Sequence, residues 1–318
     1  MIAKLPRVTD RLLRRARLSS AMAAVLAALS AVTFGIGDFF GGLSARRIVA
    51  QLTTLAAQAT GLVLLVVVAA TLITGEPTSG DWVVGAAAGV CGGTGLILFY
   101  WAMAQGPMSV VAPVSAVTSA LVPVLAGVLG GERPAARATI GIVAALPAIV
   151  LISREPTRDE LVSAEARVEA STPRGVPAGL AAVGGLPVVA ATLAGVGFGL
   201  FFTLLSRSGD DSGLWPIVSA RAAAVVLALV VVGVARPRHA GREGLLLAMA
   251  AGCLDATANS LYLLASRQGL LSVVGAIGAM YPASTVVLAR LVLGERLARH
   301  QLVGLAVAAG AVVLIATG

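Results

Sequence analysis

The apolar residues of this chain come in long solid blocks separated by polar breaks. Ten blocks can be drawn, at approximately residues 21–42, 49–74, 82–104, 109–129, 138–153, 187–206, 215–234, 244–266, 271–292 and 301–317. A helix needs about 20 residues to cross about 30 Å of hydrocarbon. Most of the blocks reach that length, and the fifth and tenth fall short of it. Solid runs speak against a membrane β-barrel, whose strands alternate apolar and polar positions over short segments. The pattern predicts an all-α integral membrane protein with ten transmembrane helices. Most breaks are short and carry Gly, Pro and charge, as in Glu76-Pro77-Thr78-Ser79-Gly80-Asp81 and Arg236-Pro237-Arg238. One break is long. Residues 154–186 are polar and then rich in small residues, with Arg158-Asp159-Glu160 and Glu165-Ala166-Arg167, and they divide the blocks five and five.

The two halves repeat at a shift of about 163 positions. Gln105-Gly106 recurs as Gln268-Gly269, Ser109-Val110-Val111 as Ser272-Val273-Val274, Gly131-Glu132-Arg133 as Gly294-Glu295-Arg296, and Gly141 as Gly304. With the shift one shorter, Gly35, Gly37, Phe39, Phe40 and Ser44 reappear as Gly197, Gly199, Phe201, Phe202 and Ser206. Matches at Val and Ala are cheap in so apolar a chain; matches at Gly, Gln, Glu, Arg and Ser in constant register are not. The expected organisation is a basic tail at 1–20, a first five-helix repeat at 21–153, a linker at 154–186 and a second five-helix repeat at 187–318. An odd number of helices per half makes the second copy enter the membrane from the opposite side. Such inverted repeats place substrate sites near the bilayer midplane, between the halves, and alternate access by rocking.

Composition agrees with the pattern. Of 318 residues, 58% are hydrophobic and only 12% charged, and the mean hydropathy is +0.95. A soluble domain carries about twice that share of charge. The net charge of +8 is almost wholly arginine, Lys4 being the one lysine. Its densest cluster is Lys4, Arg7, Arg11, Arg14, Arg15 and Arg17, beside the first block, where basic residues hold a chain end against anionic cytoplasmic lipid. These arginines lack the interleaved aromatics of a nucleic-acid surface, so no nucleic-acid partner is expected. The first block is longer than a signal-peptide core and has a counterpart later in the chain, so it is read as retained. With the N-terminus inside, the tail cluster together with Arg133, Arg137, Arg207 and Arg267 nearly balances the arginines of the opposite loops, so loop charge alone does not set the orientation. The tail beside the first block argues for a cytoplasmic N-terminus. Cys91 and Cys253 fall inside apolar blocks and read as buried thiols. His239 and His300 lack a second ligand at metal spacing, no Walker loop occurs, and neither cofactor nor metal is expected.

Five-plus-five helices with Gly-Glu-Arg after the fourth of each half resemble the EamA branch of the drug/metabolite transporter superfamily. The residues that carry the resemblance are Pro123 through Gly131-Glu132-Arg133 and Pro282 through Gly294-Glu295-Arg296, each followed by a short apolar block near Gly141 or Gly304. It covers the chain after the basic tail. The resemblance implies secondary transport of a small metabolite or drug-like solute, often export, in the plasma or inner membrane, with both termini cytoplasmic. It implies no enzymatic activity. An arginine early in the second helix of a half is frequent in that family; Arg221 holds this place in the second half, and Gln58 holds it in the first.

Ionisable residues inside a membrane are costly and mark candidate sites. In the eighth block Asp255, Asn259, Tyr262 and Ser266 are spaced by four, three and four, which sets them on one helix face. That face either lines a solute path, with Asp255 meeting a cation or proton, or holds helices together by hydrogen bonds. Arg221 either presents its planar fork to an anionic group or pairs with Asp255. Tyr281, beside Pro282, is a further candidate lining residue. The substrate-binding candidates are thus Arg221, Asp255, Asn259, Tyr262 and Tyr281. The expected partners are a small-molecule substrate, membrane lipid and a coupling proton or ion, for a monomer or homodimer.

Gly35-Ile36-Gly37-Asp38 matches the GxGD string of intramembrane aspartyl proteases. Their second aspartate, preceded by tyrosine, has no counterpart, since no Tyr-Asp pair occurs. Asp38 is instead expected near a membrane face, by Arg46 and Arg47. The pairs Gly37/Gly41, Gly85/Gly89, Gly127/Gly131 and Gly195/Gly199 are expected to let helices approach closely. Pro113, Pro123 and Pro282 are expected to kink their helices, and Tyr100 and Trp101 to sit in an interfacial aromatic belt. The alternative to a transporter is a non-transporting, lipid-handling or assembly component on the same fold.

Overall fold

The computed structural model describes residues 5–105, 108–153, 185–237, 241–293 and 299–317, and their regular structure is entirely helical. The helices are α1 (Leu5–Ala45), α2 (Ala50–Thr71), α3 (Ser79–Gln105), α4 (Met108–Leu129), α5 (Ala136–Ser153), α6 (Gly185–Leu205), α7 (Trp215–Ala235), α8 (Arg242–Ser266), α9 (Leu271–Gly278), α10 (Pro282–Leu293) and α11 (Arg299–Thr317). Most of the linker and the second Gly-Glu-Arg, Gly294 to Arg296, lie outside the described residues. Six helices are long and apolar enough to cross a membrane: α2, α3, α6, α7, α8 and, in α1, the stretch Ser19–Ala45. The shorter apolar helices include Val114–Leu129, Ala136–Ala148 and Leu302–Ala311. α1 is already helical from Leu5, so the basic stretch continues into the apolar part as one helix.

The ninth apolar block is two helices rather than one. Between α9 and α10, Ala279-Met280-Tyr281 leave the α-helical path. Pro282 has no N–H to give the Gly278 carbonyl, and the Ala283 N–H turns to Met280. In α4, by contrast, the helix runs unbroken through Pro113 and Pro123.

The two halves are interleaved. The most extensive packing partners of α1, α2, α3, α4 and α5 all come from the second half: α8 for α1, α8 and α7 for α2, α6 and α7 for α3, α6 and α9 for α4, α11 for α5. Contacts within a half are sparser. Glycine decides two of the close crossings. A Cβ on Gly89 of α3 would collide with the backbone of Ala220 in α7, and a Cβ on Gly252 of α8 would collide with the backbone of Ala57 in α2. Gly89 and Ala57 are the repeat counterparts of Gly252 and Ala220, so the two crossings are one contact made twice. Gly93 against Ala224, and Gly61 against Ala256, repeat the relation. Reciprocal contacts of this kind are what a two-fold axis produces. At one edge α5 and α11 pack on each other, with Ala148 and Ala311, and Ala144 and Val307, in one apolar cluster. These are counterpart pairs, as expected where such an axis passes.

The other glycine pairs divide by role. Gly85 and Gly89 both face α7, and Gly195 and Gly199 both face α4. Gly127 and Gly131 are not a packing pair. Gly131 has φ +92°, the left-handed conformation that ends a helix. The Gly131 N–H donates to Val128 and the Glu132 N–H to Gly127, closing α4 in a Schellman motif. That turn aims Glu132 at another helix. Its carboxylate accepts the backbone N–H groups of Leu271 (2.8 Å) and Ser272 (2.9 Å) at the start of α9. The residue preceding α9, Leu270, caps nothing with its own side chain. The repeated acidic motif is thus, in its first copy, a cap supplied across the fold to exposed N–H groups at a positive helix end. Glu132→Ala is expected to cost about 1–2 kcal/mol of stability. Thermal unfolding in detergent reads this, and an unchanged midpoint would rule the cap out as a stabilising contact.

Outward faces carry Val63, Val67, Val83, Leu129, Val189, Val230 and Leu291, all exposed. Apolar surface on this scale suits acyl chains, not water.

Candidate functional site

A cavity opens between the interleaved halves. Its empty volume, mouth included, is about 610 Å³. One wall is polar: Asp38 on α1, Asp255 and Asn259 on α8, and Tyr281 at the α9–α10 break. Much of the remaining lining is apolar, with Gly92 and Leu96 on α3 and Phe198, Phe201 and Phe202 on α6. Gln58 of α2 and Arg221 of α7 also line it and touch each other.

Arg221 is 4% exposed. Its two terminal nitrogens donate to different helices, Nη1 to Gln58 Oε1 and Nη2 to Asp255 Oδ2. Gly61 leaves room beside the guanidinium carbon. The sequence left two partners open for Arg221, and the structure shows the pairing with Asp255. Gln58 and Arg221 occupy counterpart positions, and counterparts that touch each other lie on the axis relating the repeats. Two arginines there would set two guanidinium groups against each other in a poorly solvated place. A neutral acceptor opposite the cation removes that repulsion, which gives a physical reason for the break in symmetry at Gln58.

The same asymmetry runs along α3 and α8. The counterpart of Asp255 is Gly92, where a Cβ would meet the Phe201 ring. The counterpart of Asn259 is Leu96. One copy of the helix therefore supplies polar atoms, and the other supplies space and apolar surface. Asn259 is 3% exposed. Its Nδ2 donates to the Asp255 carbonyl at 2.8 Å, which leaves Oδ1 buried with no hydrogen-bond partner among the described residues.

Tyr281 is held by its hydroxyl, 2.9 Å from Ser115 Oγ and donating to the Ala112 carbonyl at 3.2 Å. It ties the helix break to α4. Tyr262 stands behind the wall. It is 1% exposed and its ring lies on Phe202, centroids 4.2 Å apart, so it backs a lining residue and does not itself line the cavity. Ser266 Oγ donates to the Leu263 carbonyl of its own helix.

Asp38 is the residue that sequence reasoning placed elsewhere. It lines the cavity and is not at a membrane face by Arg46 and Arg47. Gly37 brings α1 against Ala251, Leu254 and Asp255 of α8, and this contact carries the next residue into the cavity. The signal was present in the glycines, which mark close packing, but nothing in the sequence named the partner. Asp38 and Asp255 share a cavity without forming a hydrogen-bonded acid dyad, since Asp255 is held by Arg221. Tyr100, expected in an interfacial belt, is 2% exposed and its hydroxyl fills the space beside Gly41. Cys91 and Cys253 are free and only partly buried. Among the described residues no three His, Cys, Asp or Glu side chains gather to hold a metal.

One end of the bundle is tied shut by polar contacts. Asp81 accepts the Gly209 N–H at 2.7 Å and the Thr78 N–H at 2.8 Å. Arg267 donates to the Gly209 carbonyl and to Ser212 Oγ at 3.0 and 2.7 Å. Burial lowers the basicity of Arg267, and Asp210, Asp81 and Asp211 oppose that effect. At the other end Ser44 Oγ donates to the Gly244 carbonyl at 2.8 Å, and an exposed pair joins Arg47 to Glu243 at 3.2 Å.

A helical membrane protein of two interleaved repeats, with a polar cavity where they cross, is the class these observations define. The model of the EamA-like transporter family matches residues 21–154 and again 185–317. The chain belongs to that family, within the drug/metabolite transporter superfamily. A solved crystal structure is similar over 94% of this chain and 95% of its own, with a TM-score of 0.61 at 15% identity, a likeness of fold. No curated protein sequence matches the chain significantly.

Proposed function

We propose that the protein is a secondary transporter that moves a small solute across the plasma or inner membrane by alternating access, in the direction of export. The observation that carries this reading is the position of the cavity, at the crossing of the repeats, where Gln58 meets Arg221. A site on such an axis can be offered to either side by related motions of the two walls. In this reading ten helices span the membrane as two inverted five-helix repeats, and both termini are cytoplasmic. The repeats are residues 21–153 and 187–318, joined by a polar linker. Because the halves interleave, the rocking units are mixed. One is α1, α8, α9 and α10, and the other is α6, α3 and α4. Arg221, Asp255, Asn259 and Tyr281 meet the solute, and Tyr262 shapes the site through Phe202. An ion or solute gradient supplies the energy.

Untargeted metabolite comparison of cells with and without the protein is expected to show a retained solute when it is missing. Proteoliposome flux of that solute is expected to vanish in Arg221→Met. Wild-type flux from a well-folded Arg221→Met variant would sink the site, and no flux of any retained solute would favour a non-transporting component.

A further inference from the structure

The charges around the cavity do not cancel. Two carboxylates and one guanidinium line it, and both terminal nitrogens of that guanidinium are already engaged, by Asp255 and Gln58. Asp38 makes no ion pair among the described residues. An acid without a partner in a poorly solvated cavity is costly as a carboxylate unless a cation meets it. Asn259 Oδ1 adds an independent demand. Its amide orientation is set by the bond from Nδ2, so the partnerless atom is an acceptor, buried, on a residue that lines the cavity. An acceptor calls for an N–H or O–H donor. Phe198, Phe201 and Phe202, with Phe34 and Tyr281, line the same cavity and supply apolar surface and ring faces that attract cations.

We propose that the cavity takes a protonated organic amine with an apolar or aromatic body. Its ammonium sits at Asp38 and donates to Asn259 Oδ1, and its body lies on the phenylalanine wall. The inference rests on reading this cavity as the substrate site. It separates ligand classes sharply. A carboxylate or zwitterion would bring a further anion beside Asp38 and Asp255 and would compete with Asp255 for Arg221. A quaternary ammonium would satisfy Asp38 and leave Asn259 without its donor.

The test uses the full-length protein in lipid nanodiscs, with binding read by calorimetry. Phenethylamine, 3-phenylpropionate, phenylalanine and the trimethylated quaternary analogue of phenethylamine are compared at one pH. Phenethylamine is expected to bind tightest, roughly tenfold or more above each of the others. Asp38→Asn is expected to weaken it by a similar factor, and Asn259→Leu by several-fold, each variant being checked for monodisperse elution. Equal or tighter binding of the anion, the zwitterion or the quaternary compound overturns the proposal. So does the absence of amine binding, or amine binding unchanged in a folded Asp38→Asn variant. The comparison of ligands needs no variant to fold. Counterflow in proteoliposomes separates the two readings. Amine binding without flux defeats transport and leaves the ligand class standing, and flux of another class without amine binding does the reverse.

Discussion

Replacing Arg221 by methionine is expected to destabilise the protein by about 3–5 kcal/mol, the cost of leaving one member of a buried ion pair without its partner. Asp255, whose side chain is 21% exposed, keeps some access to the cavity and so places the loss toward the lower end. The double variant Arg221→Met/Asp255→Leu removes both charges and is expected to recover much of that stability, because desolvation of the pair offsets most of its attraction. It is not expected to recover flux. Gln58→Leu deletes one hydrogen bond to a charged group and is expected to cost about 1.5–3 kcal/mol. Gln58→Arg is expected to be the worst of the single changes, since it sets two cations against each other on the axis. Unfolding midpoints in one detergent, with flux from the same preparations, decide the matter. If the double variant is no more stable than the Arg221 single, the pair is not what couples α7 to α8.

The second large effect belongs to residues without chemistry. Gly89→Ala and Gly252→Ala each push a methyl group into a backbone, of Ala220 and Ala57 respectively. A backbone segment in a packed helix cannot swing aside as a long side chain can. Overpacking costs about 1–3 kcal/mol where a core can adjust, and these crossings are expected to reach at least the top of that range. The two losses should be similar in size, because the crossings are copies of each other. Gly233, with nothing within 4 Å of an added Cβ, provides the control, and Gly233→Ala should be neutral or mildly stabilising. A Gly89→Ala variant as stable as Gly233→Ala would mean that close approach at the crossing is not needed.

Much of this architecture was legible before any fold was known. Apart from the start of α1 and the break in the ninth block, the apolar blocks predicted the helices within a few residues, because helical spans in lipid must be apolar over a set length. The register of Gln, Gly and Glu between halves predicted the repeat, which the family match supports at 21–154 and 185–317. The face carrying Asp255 and Asn259 was readable from their spacing of four, since helical period is a local property. Asp38 was not readable. Its own helix shows a run of glycines and one acid, and its place depends on how deeply α1 seats on α8. The break at Ala279-Met280-Tyr281 was half legible. Pro282 announced a lost hydrogen bond, but Pro123 announced the same and its helix runs on. A missing N–H is a local cost, and only the surroundings decide whether the helix absorbs it.

The apolar blocks therefore determined a set of membrane-length helices, and the register and spacing of the polar residues and glycines determined their duplication and the candidate polar face of α8. Only the tertiary structure decided that Glu132 caps a helix it does not belong to, that Gln58 and Arg221 meet, and that Asp38 and Asp255 share one cavity. The physical reason is the range of the forces involved. Partition into lipid and helical hydrogen bonding act on neighbours along the chain and leave a periodic mark. The meeting of distant polar side chains follows from which helix faces cross and how closely their glycines let them approach.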